Sequence, residues 1–176
     1  MGFSKFWRLA AVASAVLLAG CGLTQLNADY VPTSTLSAHG AVQIGSFAYL
    51  PATSGKLKPN QLRNAAFAQV LLNQNVDDYV RQSLLKELRF VGIKIGDRGA
   101  VVGGEVEDFF DDDSGGNVLT LTVRYVVKDA TGTVLYDAEK SSHQPMSYGT
   151  GNPMDRALKA NFEQVIADAA FIKAIN

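Results

Sequence analysis

Thiol chemistry is almost absent from this chain. Cys21 is its single cysteine, so no disulfide can form within it. Histidine is scarce too: only His39 and His143 are present, and neither has a cysteine or a second histidine at metal-ligand spacing. There is no G-x-S-x-G elbow for a nucleophilic serine, no G-x-G-x-x-G, and no phosphate loop with a following lysine. Basic charge is not in excess, with 16 Lys and Arg against 17 Asp and Glu. A general nucleic-acid binder needs a basic face to displace counterions, so that class is disfavoured. No apolar run approaches the roughly 20 residues of a membrane-spanning helix.

What the chain does have begins at its N-terminus. Lys5 and Arg8 precede an apolar stretch from Leu9 to Leu18, which leads through small residues to Leu18-Ala19-Gly20-Cys21. Basic, apolar, small is the layout of a secretory signal, and an apolar stretch of about 10–12 residues is too short to span a bilayer. The Leu-Ala-Gly-Cys ending resembles the bacterial lipobox. That resemblance implies cleavage before Cys21, acylation of its sulfur and a further acyl chain on the new N-terminus. Two or more chains, at about 0.8 kcal/mol per buried methylene, hold a protein stably on a membrane. Gly22, where an Asp would imply inner-membrane retention, implies the periplasmic face of the outer membrane. Cleavage would remove Lys5 and Arg8 and leave 14 basic against 17 acidic residues, a formal charge of −3.

Residues 1–20 are therefore expected to be a lipoprotein signal peptide and 21–40 a lipidated flexible tether. The tether is polar, with Pro32 and Thr33-Ser34-Thr35. Its roughly 18 residues would reach about 60 Å when fully extended and about 25 Å as a random coil. Residues 41–176 are enough for one core and too few for two, so they form a single periplasmic domain. Val42, Ile44 and Leu50 share one parity and predict a strand over 41–50. The stretch from Ala65 to Leu72 fits either a short strand or a helical turn. Val76, Val80, Leu84 and Leu88 recur every four residues and predict a helix from Asn75, with Asp78 completing a variant capping box and Gly92 stopping it. Strands follow at 93–95, 102–107, 119–128 and 133–138, with a hairpin turn at Asp129-Ala130-Thr131-Gly132. Ser141 to Gly151 is expected to be a loop. A helix capped by Asn152 then carries Met154, Leu158, Phe162, Val165, Ala169 and Ile172 almost to the C-terminus. The expected fold class is α+β: a mostly antiparallel, meander-like sheet with two amphipathic helices packed on one face, in the order strand, helix, strands, helix.

The acidic stretch Glu105-Val106-Glu107-Asp108-Phe109-Phe110-Asp111-Asp112-Asp113 opens like a calcium loop through Asp111, Asp113 and Gly116. The twelfth position, which must be a bidentate Glu, is Thr122, so a solvated hairpin loop is expected instead. Glu105 and Glu107 share a strand face, but acid/base work needs burial to tune such a pair, and an exposed polar face is the expectation. His39 and His143 are expected to be exposed. Gly149-Thr150-Gly151 precedes a helix and reads as its capping loop rather than an anion cradle. Phe109, Phe110 and Tyr148 lie near loops, where an aromatic more often packs under a neighbouring loop and, where exposed, marks a partner or lipid contact. No catalytic, metal-binding or cofactor-binding residue is expected, and no cofactor.

Val42-Gln43-Ile44-Gly45-Ser46-Phe47, Val76-Asp77-Asp78-Tyr79-Val80-Arg81, Leu84-Leu85-Lys86-Glu87-Leu88, the Gly-Gly-Glu-Val-Glu strand and Asn161-Phe162-Glu163 together resemble the YajG-type family of small Gram-negative envelope lipoproteins. More distantly they resemble lipoprotein subunits of envelope lipid transporters and the lipopolysaccharide-assembly lipoprotein. The resemblance implies no active-site residues. The functional expectation is a non-enzymatic outer-membrane lipoprotein, held on the membrane by its lipid and serving as an accessory or assembly subunit for an envelope protein partner, with no nucleic acid. The alternative is a carrier of a lipid or other amphiphile.

Overall fold

The computed structural model describes residues 23–65, 69–113, 115–146 and 152–176. Cys21, Tyr148 and Gly149-Thr150-Gly151 lie outside them. The sheet is built on three long antiparallel strands: β6 (Ala100–Asp112), β7 (Val118–Lys128) and β8 (Val134–Pro145). In β7 the odd residues Leu119, Leu121, Val123, Tyr125 and Val127 are all buried while Arg124 and Lys128 are exposed, which is the period of a half-buried strand.

The other edge of β6 is shared by two strands running parallel to it. β2 (Ala41–Tyr49) covers its first half, and β3 (Gln61–Asn64) pairs Arg63 and Asn64 with Phe110 and Asp111. β4 (Gln69–Leu72) lies antiparallel to β3, and β1 (Leu23–Leu26) lies parallel to β4. β5 (Lys94–Ile95) runs parallel to β2 on its free side. The expected mostly antiparallel meander is therefore corrected: the sheet has eight strands and is mixed, and only β6–β7–β8 form a meander. Parallel neighbours need a crossover, and the helix between β4 and β5 supplies it. The ambiguous 65–72 stretch contains β4, and the predicted final strand extends seven residues beyond 138, into the expected loop, to end at Pro145.

Four helices occur among the described residues: α1 (Leu50–Thr53), α2 (Val76–Phe90), α3 (Pro153–Ile166) and α4 (Ala169–Ala174). In α2, Val76, Val80, Leu84 and Leu88 have no exposure. Its end is a Schellman motif, with Ile93 N–H donating to Leu88 O at 2.9 Å and Gly92 N–H to Arg89 O at 3.2 Å. Gly92 sits at φ +104°, which only glycine takes without strain. In α3 the Asn152 side chain accepts from Met154 N at 3.0 Å. The expected single C-terminal helix breaks at Ala167, because Asp168 caps a new helix through Ala170 N at 2.9 Å. Phe171 and Ile175 then fill the core in place of the expected Ala169 and Ile172.

Residues 27–40, expected to belong to a flexible tether, lie as a strap across the seam between α2 and α3. Tyr30 is 2% exposed, meets Phe162 edge-to-face with ring centroids 5.7 Å apart, and donates to Glu87 Oε2 at 2.6 Å. Ser34 donates to Glu163 Oε1 at 2.7 Å, and Ala38 N–H to Val91 O at 2.9 Å. The anchors are spaced singly in a polar segment, so no hydrophobic period announces them.

Candidate functional site: the face of the sheet opposite α2 and α3

A bulge in β6 organises the face opposite α2 and α3. Val106 pairs with Val123 and Asp108 with Thr122, which leaves Glu107 as the extra residue. The bulge switches the inward parity from even to odd. Val102 and Val106 point into the core before it, Phe109 and Asp111 after it. The acidic stretch is therefore a strand as far as Asp112 and not a hairpin loop. Phe109 is fully buried, which removes it as a partner contact, and Asp111 is buried too. Asp112 is turned to local use, accepting from Gly115 N and Gly116 N at 3.3 and 3.2 Å.

Phe110 reaches the outer face, but it is not bare. The Arg63 guanidinium lies 3.6 Å above its ring, a cation–π stack. The same guanidinium pairs bidentately with Asp108, with Nε donating to Oδ1 at 2.9 Å and Nη2 to Oδ2. One strand pair along, Arg124 grips Asp137 in the same way, at 2.8 and 2.6 Å, and reaches Glu105 at 3.5 Å. These two arginine–carboxylate forks fix the planes of their groups on the sheet surface.

Two concavities flank them. One, of about 610 Å³, is walled by Leu50, Pro51 and Leu57 on one side and by Arg63, Glu107 and Asp108 on the other. The second, of about 420 Å³, runs past Gly45, Gly103, Gly104 and Arg124 to Val134. Glu107 is held above the usual carboxylate range, first by partial burial and then by the Glu139 and Glu105 carboxylates; Arg124 opposes the shift. The expected Glu105/Glu107 pair stays on one face, with Glu105 on Arg124 and Glu107 on the groove wall. His143 lies on the same face, its Nδ1 2.9 Å from Thr120 Oγ1, while His39 is exposed at the opposite end of the chain's core. No group of three or more potential metal-ligating side chains converges among the described residues. Among those residues, too, no helix is long and apolar enough to cross a membrane.

Arg63 and Arg124 carry this surface, and sequence reading did not single out either. Arg124 was legible as the polar side of β7; Arg63 had no local signal, because β3 is four residues long.

Neither a family model nor a curated protein matches the sequence. The fold has solved counterparts. Protein XCC0632 of Xanthomonas campestris, of the DUF330 family, is similar with a TM-score of 0.55 at 12% identity, over 86% of this chain and 93% of its own. PelC from Paraburkholderia phytofirmans, whose crystal structure is a dodecamer, is similar with a TM-score of 0.50 at 11% identity, over 79% and 92%. Identities this low establish a shared fold and nothing about the site. The likeness to YajG-type lipoproteins rests on the sequence pattern alone.

Proposed function

We propose that this chain is a non-enzymatic lipoprotein, anchored through Cys21 to the periplasmic face of the outer membrane, that binds an envelope protein partner with the face of its sheet opposite α2 and α3. The observation that carries the reading is the pair of immobilised arginine forks, Arg63–Asp108 and Arg124–Asp137, set between two open concavities. Arginine held flat by a carboxylate loses little rotamer freedom on binding, and arginine is among the residues that dominate interface energetics. The Leu-Ala-Gly-Cys ending supports the anchor. A protein of similar fold, PelC, assembles into a dodecamer, which supports an assembly role. The alternative reading places an amphiphile between helices and sheet. Leu84, Leu88, Val123, Tyr125 and Phe162 already fill that layer with no exposure, so partner binding is preferred.

The test is affinity purification from crosslinked envelopes with wild type and Arg124→Glu. Wild type is expected to recover one stoichiometric partner, and the variant to lose it while remaining folded and membrane-bound. Recovery of no stoichiometric partner with wild type contradicts the proposal.

A further inference from the structure

A separate cavity opens on the other side of β6, at the end of the core nearest β1. It encloses about 320 Å³ and is walled mainly by Leu26, Leu62, Leu119, Met146 and Met154. Among the described residues, Asp111 is the one ionisable side chain in its lining. The bulge at Glu107 is what turns this aspartate inward, at a position that a regular strand would give to solvent.

Asp111 is 7% exposed. Its Oδ2 accepts from Asn64 Nδ2 at 3.1 Å. Its Oδ1 has no hydrogen-bond partner among the described residues and almost no accessible surface. An unmet acceptor in an apolar site costs free energy that a bound donor returns. The carboxyl is held above its ordinary range, first by burial and then by the negative charges of Asp113 and Asp112; those neighbouring charges favour a cationic donor over a neutral one.

We propose that this cavity binds an alkylammonium group: a protonated amine on a short apolar stem, with the nitrogen on the Asp111 carboxylate and the stem against Met146, Met154 and Leu119. The chemistry excludes the nearer alternatives. A guanidinium binds carboxylates through two parallel bonds, and here Oδ2 already serves Asn64. A hard divalent cation needs six or more oxygens. The lining offers few: Asn152 Oδ1 is spent on its helix cap, and Asn27 Oδ1 accepts from Asn73 at 2.6 Å. The same group comes from two sources, a free alkylamine or the lysine side chain of a bound protein. The cavity stands apart from the face that carries Arg63 and Arg124, so the proposal does not depend on the partner surface proposed above.

The experiment titrates the full chain in detergent and follows the Met146 and Met154 methyl resonances. The ammonium probes are n-butylammonium and Nα-acetyl-lysine methylamide; the uncharged controls of equal reach are n-butanol and Nα-acetyl-norleucine methylamide. Saturable shifts are expected with n-butylammonium, at least tenfold tighter than with n-butanol. Asp111→Asn is expected to erase that preference while still admitting n-butanol, which shows that the cavity is intact in the variant. Binding of n-butylammonium alone supports a free amine as ligand; binding of the lysine probe as well supports a partner's side chain. No saturable shift with either ammonium probe, or equal affinity for butylammonium and butanol, overturns the proposal.

Discussion

Two buried or half-buried carboxylates set the pH behaviour of the molecule from single residues. Glu87 has no exposure, and burial raises its pKa above the ordinary 4.5 despite the Tyr30 hydroxyl that donates to it. The folded state therefore holds this proton more tightly than the unfolded one. Its contribution is fully present below about 4.5 and is lost as pH rises through the folded value. Urea unfolding of Glu87→Gln against wild type is expected to show the variant gaining relative stability from pH 4.5 upward. Asp168 has the opposite sign. Lys140 at 2.8 Å, with help from Ala170 N and the Tyr136 hydroxyl, holds it down to about 2. Its contribution is present above the ordinary 3.8 and is lost as pH falls toward 2. The Tyr30 hydroxyl is the matching residue on the strap. Tyr30→Phe leaves the buried Glu87 without that donor and is expected to cost about 1–3 kcal/mol in denaturant unfolding.

At the scale of elements, caps and close approaches make sharper predictions than propensity does. Asn152→Ala removes a real cap bond and is expected to cost about 1 kcal/mol. Asn75 occupies the equivalent place before α2 but makes no side-chain cap bond, so Asn75→Ala is expected to leave the unfolding midpoint nearly unchanged. Gly104 is a different case, since a Cβ there would stand 2.0 Å from the Arg124 carbonyl oxygen. Gly104→Ala must spread β6 from β7, and at least about 1–3 kcal/mol of destabilisation is expected. These contrasts mark what was legible. The stripe of α2, the alternation of β7 and the start of α3 each repeat a period over eleven or more residues, and sequence reads them. The bulge at Glu107 changes parity in one step, and it alone decides that Phe109 is core, Phe110 is surface and Asp111 is buried. The parallel pairing of β2 and β3 along β6 is a tertiary choice that no local pattern carries. The strap was unread because Tyr30, Ser34 and Ala38 act singly.

For the whole molecule, the strap changes how an anchored domain would sit. β1 begins at Leu23, two residues past Cys21, so an acylated Cys21 would hold the first strand within about 7 Å of the lipid attachment point. The domain is then held close against the membrane, rather than floating on the long tether that the polar sequence of 21–40 implies. Cys21→Ser is expected to release the protein into the soluble periplasmic fraction with its unfolding midpoint unchanged, as read by fractionation and thermal denaturation. On the proposed reading the membrane lies at the β1 end, α2, α3 and the strap cover one side of the sheet, and the Arg63 and Arg124 face is the one that would meet a partner. That claim is tested most directly by site-specific photo-crosslinking in whole envelopes, with the crosslinker at Glu139 on the Arg124 face and, as control, at Gln82 on the exposed side of α2. The account predicts a single discrete adduct to another envelope protein from position 139 and none from 82. Adducts of equal yield from both positions, or from neither, would contradict it.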